Sequence, residues 1–122
     1  MKRFEARVLL AVVLWLCAPW SASATSTLAF DGGGYWIDME IGDDRGEAIA
    51  SVRFHRPGEP EGIVLPRSEW HADAFDTRQQ VLRLRHAPGE SGVAGFTLSV
   101  RRDVAVLTIG GRRIRSAFRW TR

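Results

Sequence analysis

From Tyr35 onward the chain alternates apolar and polar residues in short runs, broken every eight to twelve residues by Gly, Pro and Asp clusters, which is the rhythm of an all-β meander. Tyr35, Ile37, Met39 and Ile41 share one face of the first run, with Trp36, Asp38 and Glu40 on the other. The loop at 42–46 leads into Glu47–His55, where Ala48, Ala50, Val52 and Phe54 are expected to point inward. A Pro- and Gly-rich connection at 56–62 precedes a short strand at Ile63–Leu65. Gln80–His86 turns Leu82 and Leu84 inward and Arg83 and Arg85 outward; Val93–Arg101 does the same with Phe96, Leu98 and Val100 against Thr97, Ser99 and Arg101. Val104–Ile109 and Arg112–Trp120 flank a Gly110-Gly111 hairpin turn, and the last run alternates Ile114, Ser116 and Phe118 with Arg113, Arg115 and Arg119.

Between these runs, Ser68–Asp76 predicts one short helical turn, because Ser68 is a capping residue and Trp70/Ala74 and His71/Phe75 fall at i, i+4. About seven strands in a single domain over 35–122 indicate an all-β fold, a small antiparallel sandwich or a partly open barrel. Val104–Ile109 is apolar on both faces. Either the 68–76 turn folds over the second face, or the strand offers a patch to another molecule.

The start of the chain has a different composition. Lys2, Arg3 and Arg7 precede an apolar run at 8–18, Pro19 breaks it, and Ala22-Ser-Ala24 places small residues where a leader peptidase accepts them. Residues 1–24 read as a cleaved secretory signal peptide, and the run is too short for a transmembrane anchor, which needs about 20 apolar residues. The mature chain is expected to be periplasmic or secreted. Cys17, the only cysteine, leaves with the leader, so the mature domain is free of disulfides and has no cysteine nucleophile. Residues 25–34, ending in three glycines, read as a flexible lead-in.

Charge changes the picture further. The precursor carries +3, but without the leader 14 basic groups face 13 acids, too even a balance for a nucleic-acid binder that relies on counterion release. The distribution is uneven. Eleven acids and four arginines lie between Thr25 and Asp76, whereas ten arginines and two acids lie between Thr77 and Arg122. Acidic strands could pair with basic ones across one sheet, or the arginines could form one exposed face for an anionic partner. The absence of Lys and Asn beyond the leader makes the choice of Arg over Lys uninformative by itself.

No serine-nucleophile elbow, His-Glu-x-x-His, P-loop or dinucleotide fingerprint is present. His55, His71 and His86 lack the short spacing that puts two metal ligands on one element, so neither metal nor cofactor is expected. His71, Asp73 and Ser91 or Ser99 supply the residue types of a triad, a set that any chain of this size contains by chance, which leaves a small hydrolase as the third reading.

The sequence points first to an exported, non-catalytic binding domain, an inhibitor or immunity-type module for a macromolecular envelope partner. Arg83, Arg85, Arg101, Arg113, Arg115 and Arg119 are its candidate contacts, with Leu107 and Ile109 as apolar ones. The alternative is a module for an envelope glycan or anionic lipid, using Trp36 and Trp70 as a stacking pair or the same arginines.

Overall fold

The computed structural model describes residues 26–42 and 47–120. The predicted signal peptide lies outside them. Among these residues nine antiparallel strands form two separate sheets rather than a closed one: β1 (Ser26–Gly32), β2 (Tyr35–Gly42), β3 (Ala48–His55) and β4 (Ile63–Val64) in the first, and β5 (Trp70–Asp76), β6 (Val81–His86), β7 (Phe96–Arg101), β8 (Val104–Ile109) and β9 (Arg112–Ala117) in the second. Each sheet is a simple meander, and the two stack as a small sandwich. Among the described residues no helix is long and apolar enough to cross a membrane.

The expected lead-in at 25–34 is instead strand β1. Leu28 and Phe30 alternate inward, Phe30 is wholly buried, and β1 pairs with β2 from Ser26↔Ile41 to Gly32↔Tyr35. The glycines are a hairpin turn, not a linker: Gly33 and Gly34 take φ of 60° and 87°, the left-handed pair that a two-residue turn of the favoured hand requires. Gly33 also lies against the second sheet, where a Cβ would come 2.8 Å from Ile114 Cδ1.

The inward assignment on β3 changes at a bulge. Glu40 pairs with Ser51 and Ile41 with Ile49, which leaves Ala50 unpaired and turns Ile49 into the core while Ala48 and Ala50 face out. The helical turn expected over 68–76 reduces to a 3₁₀ turn at Arg67–Glu69 with no side-chain cap. Trp70–Asp76 is an edge strand along β6, bulged between Ala72 and Ala74. Backbone pairing with β6 offers a partner for nearly every residue, which outweighs two i, i+4 coincidences in so short a segment. Because this segment joins the same sheet, it cannot cover the outer face of β8, and Val104 and Val106 stay half-buried there.

The core fills the space between the inner rows. Leu28, Phe30, Ile37, Met39, Val52 and Phe54 from the first sheet meet Leu82, Leu84, Leu98, Val100, Leu107 and Ile114 from the second. Phe54 stacks on Phe96 with centroids 5.3 Å apart, and Ser116 Oγ donates to the Asp31 carbonyl at 2.6 Å where β9 approaches β1. Past β9, Phe118 is buried and its N–H reaches the Asp103 carbonyl at 2.9 Å.

Replacing Phe30 with Ala separates a structural strand from a lead-in. Loss of about 3–5 kcal/mol in urea unfolding is expected for a fully buried phenylalanine, whereas a residue in a linker would change little.

Candidate functional site: the arginine face

Residues that pair directly across neighbouring strands share a face, so the register of β5–β9 sorts every side chain of the second sheet. Leu84, Leu98, Leu107 and Ile114 form one inward row. The residues between them face outward in three rows. Val81, Arg101, Val104 and Ala117 make the first row, Arg83, Ser99, Val106 and Arg115 the second, and Arg85, Thr97, Thr108 and Arg113 the third.

Five of the six arginines singled out in the sequence therefore stand on one exposed face. Arg83 and Arg85 form a column on β6, Arg113 and Arg115 a second column on β9, and Arg101 stands between them at one end. Arg119 is exposed but lies beyond the end of β9, outside the ladder. The two apolar contacts expected beside the arginines are not available: Leu107 is 0% and Ile109 6% exposed, because β8 turns Ala105, Leu107 and Ile109 into the core. The apolar residues that β8 does present on this face are Val104 and Val106. With Val81 they floor a shallow depression beside Arg83 and Arg101.

Among the described residues the acidic half does not neutralise this face. Strands β1–β4 pair only with one another, and Asp38 and Glu40 are engaged on their own sheet by Trp36 Nε1 at 2.6 Å and Ser51 Oγ at 2.5 Å. The crossing of acid and base occurs at β5, where Asp73 takes a two-pronged contact from Arg85, Nε to Oδ2 at 2.7 Å and Nη2 to Oδ1 at 2.9 Å. This bond holds the Asp73 carboxyl below its ordinary range and raises Arg85 above its own. Among the described residues, Arg83, Arg101, Arg113 and Arg115 have no carboxylate within ion-pair distance.

Beyond the third row the sheet ends in small residues, Ala87, Gly95, Gly110 and Gly111, and a recess of ≈ 690 Å³ opens there. Arg67 lies 4.0 Å over the Trp70 ring and bonds the Trp70 carbonyl at 2.8 Å on one wall. Below it is a buried polar network that the sequence did not reveal. Glu69 accepts from the Ser91 N–H at 2.9 Å, the Ser91 hydroxyl at 2.6 Å and His86 Nε2 at 2.8 Å, while His86 Nδ1 meets the Ala94 carbonyl at 3.0 Å. Each imidazole nitrogen thus lies against an oxygen, and the ring bridges the Glu69 carboxylate and the backbone of the β6–β7 loop. The Ser91 bonds, above all, pull Glu69 down to about 2. This cluster ties the long β6–β7 loop to the 3₁₀ turn. Its order is unsuited to a hydrolase, because the serine donates to the carboxylate and not to the histidine.

The stacking pair is not assembled. Trp70 is 4% exposed, at the end of the inner row of the second sheet, and Trp36 is 40% exposed on the outer face of the first. The histidines are dispersed as well: His55 is 3.5 Å from Asp38, His71 is 3.6 Å from Asp73, and His86 is inside. Among the described residues no three His, Cys, Asp or Glu side chains are grouped to hold a metal ion. Comparison with known protein families, curated proteins and solved structures found no match.

Because Glu69 ionises more readily in the fold than in the open chain, its contribution is complete above about pH 4.5 and is lost as pH falls towards about 2. Glu69→Gln is expected to lower the urea midpoint at neutral pH and to lessen the further drop on acidification. An unchanged acid limb would assign that drop to other carboxylates.

Proposed function

We propose that this chain is a non-catalytic binding domain, exported to the periplasm, that receives an anionic macromolecular partner on the outer face of β6–β9 in the manner of an inhibitor or immunity-type module. The observation that carries this reading is the alignment of Arg83, Arg85, Arg101, Arg113 and Arg115 on one exposed face, with one of the five paired to a carboxylate among the described residues. Like charges gathered this way have a cost to the folded protein alone, and an incoming anionic surface removes it.

A guanidinium grips a carboxylate or phosphate with two parallel bonds, which gives orientation as well as attraction. The valine-floored depression adds a small apolar centre inside a charged rim, the usual anatomy of a protein interface. The glycan reading based on paired tryptophans loses its support with Trp70 buried. An anionic lipid remains the competing occupant of the arginine face.

The test is affinity capture from envelope extract with the native chain and the Arg113→Ser/Arg115→Ser variant. A stoichiometric protein bound by the native chain, weakened at least about tenfold by the double variant and released by added salt, is expected. Retention on phosphatidylglycerol vesicles alone favours the lipid. Undiminished capture by a variant with native circular dichroism would remove the arginine face from the function.

A further inference from the structure

The outer face of the second sheet is a trough, and its dimensions choose among anionic ligands. The long side chains stand at the sides, on β6 and β9, which lie three strand spacings or about 14 Å apart. Between them β7 and β8 present the short side chains of Thr97, Ser99, Val106 and Thr108. Arg101 closes one end, and the other opens into the glycine-lined recess. Within each column the arginines are two residues apart, Arg83 to Arg85 and Arg113 to Arg115, a spacing of about 6.8 Å along the strand.

That repeat is also the distance between same-side residues of any extended peptide. From this match, and resting on the reading above, we propose that the trough binds a run of consecutive Asp or Glu residues in an extended segment of the partner protein, lying along the strands. Alternate carboxylates turn to the β6 column and the β9 column, so four successive acidic residues meet four arginines. The Thr97, Ser99 and Thr108 hydroxyls beneath are placed to bond the backbone of the segment. Arg85 is already oriented: Asp73 takes its Nε–H and one Nη2–H, and both Nη1 protons remain for the ligand. Asp73 is thus a positioning residue.

Two other anionic classes fit the face less well. A single-stranded nucleic acid gains much of its affinity by stacking bases on aromatic side chains, and the three outward rows of β6–β9 contain none. Binding to a bilayer surface calls for apolar side chains that project beyond the charged ones. Here Val81, Val104 and Val106 are shorter than the arginines around them and lie at the floor.

Titration calorimetry of the full domain against three blocked synthetic probes tests this. One peptide carries four consecutive glutamates flanked by threonines, the second has the same four glutamates each separated by two threonines, and the third probe is a single-stranded oligothymidylate of equal charge. The consecutive peptide is expected to bind at least about tenfold more tightly than either of the others at 50 mM salt. Arg83→Gln and Arg115→Gln should each weaken it by about tenfold, with the unfolding midpoint retained. Asp73→Asn should weaken it less and leave the preference for consecutive charges intact.

Equal affinity for both peptides, or preference for the oligonucleotide, would overturn the proposal. If the peptides fail while Arg113→Ser/Arg115→Ser still abolishes capture of the envelope partner, the extended-segment idea falls and the binding reading survives. If neither responds to the arginines, both fall.

Discussion

Everything on the arginine face follows from the burial of the row beneath it. In β6 and β7, Leu82, Leu84, Leu98 and Val100 alternate with arginine, serine and threonine, as Ile114 does with Arg113 and Arg115 on β9, and a strand cannot turn one set inward without turning the other out. The energies are unequal. Burying each leucine, isoleucine or phenylalanine is worth about 1.5–3 kcal/mol, while two arginines about 7 Å apart in water repel by roughly 0.6 kcal/mol before salt screens them. The core therefore fixes the strand register, and the charges are carried into line with it at modest cost. The face is a by-product of packing geometry in its position, though not in its composition.

The second consequence is electrical asymmetry. Because the chain completes the acidic meander before it begins the basic one, complementary charges end on different layers of the sandwich instead of neighbouring strands. The exception at β5 is instructive. Asp73 sits at the bulge between Ala72 and Ala74, and the extra residue there aims its carboxylate at Arg85. One acid from the first half thereby orients one arginine of the second, and among the described residues the other four of the face have no carboxylate partner. At the far end, Glu69 spends its charge inside the loop network and contributes nothing to neutralising the face.

Strand alternation made much of this visible beforehand. The all-β class, the inward leucines of β6 and β7 and the shared face of five arginines all follow from a period of two. What stayed hidden depended on single-residue departures or on contacts distant in sequence. Ala50 looks inward by counting from Val52, and only the bulge opposite Glu40 and Ile41 reverses it. Three glycines after Phe30 resemble a linker until the alternation of Leu28 and Phe30 is given equal weight with that of Ile37 and Met39. Leu107 and Ile109 cannot be told from Val104 and Val106 by periodicity, since both faces of β8 are apolar. The Glu69–His86–Ser91 cluster joins residues 17 and 22 positions apart, for which no local pattern exists.

The meander topology has an implication for how the domain is assembled. Every strand hydrogen-bonds a neighbour in sequence, so residues 26–64 and 70–117 can each zip up through hairpins of low contact order. Neither half can conceal its apolar side alone, and their docking is the long-range step. One covalent crossover, between Val64 and Trp70, joins them. A break there would separate the domain into two complementary fragments that re-form a single core by association, in the way that a split reporter does.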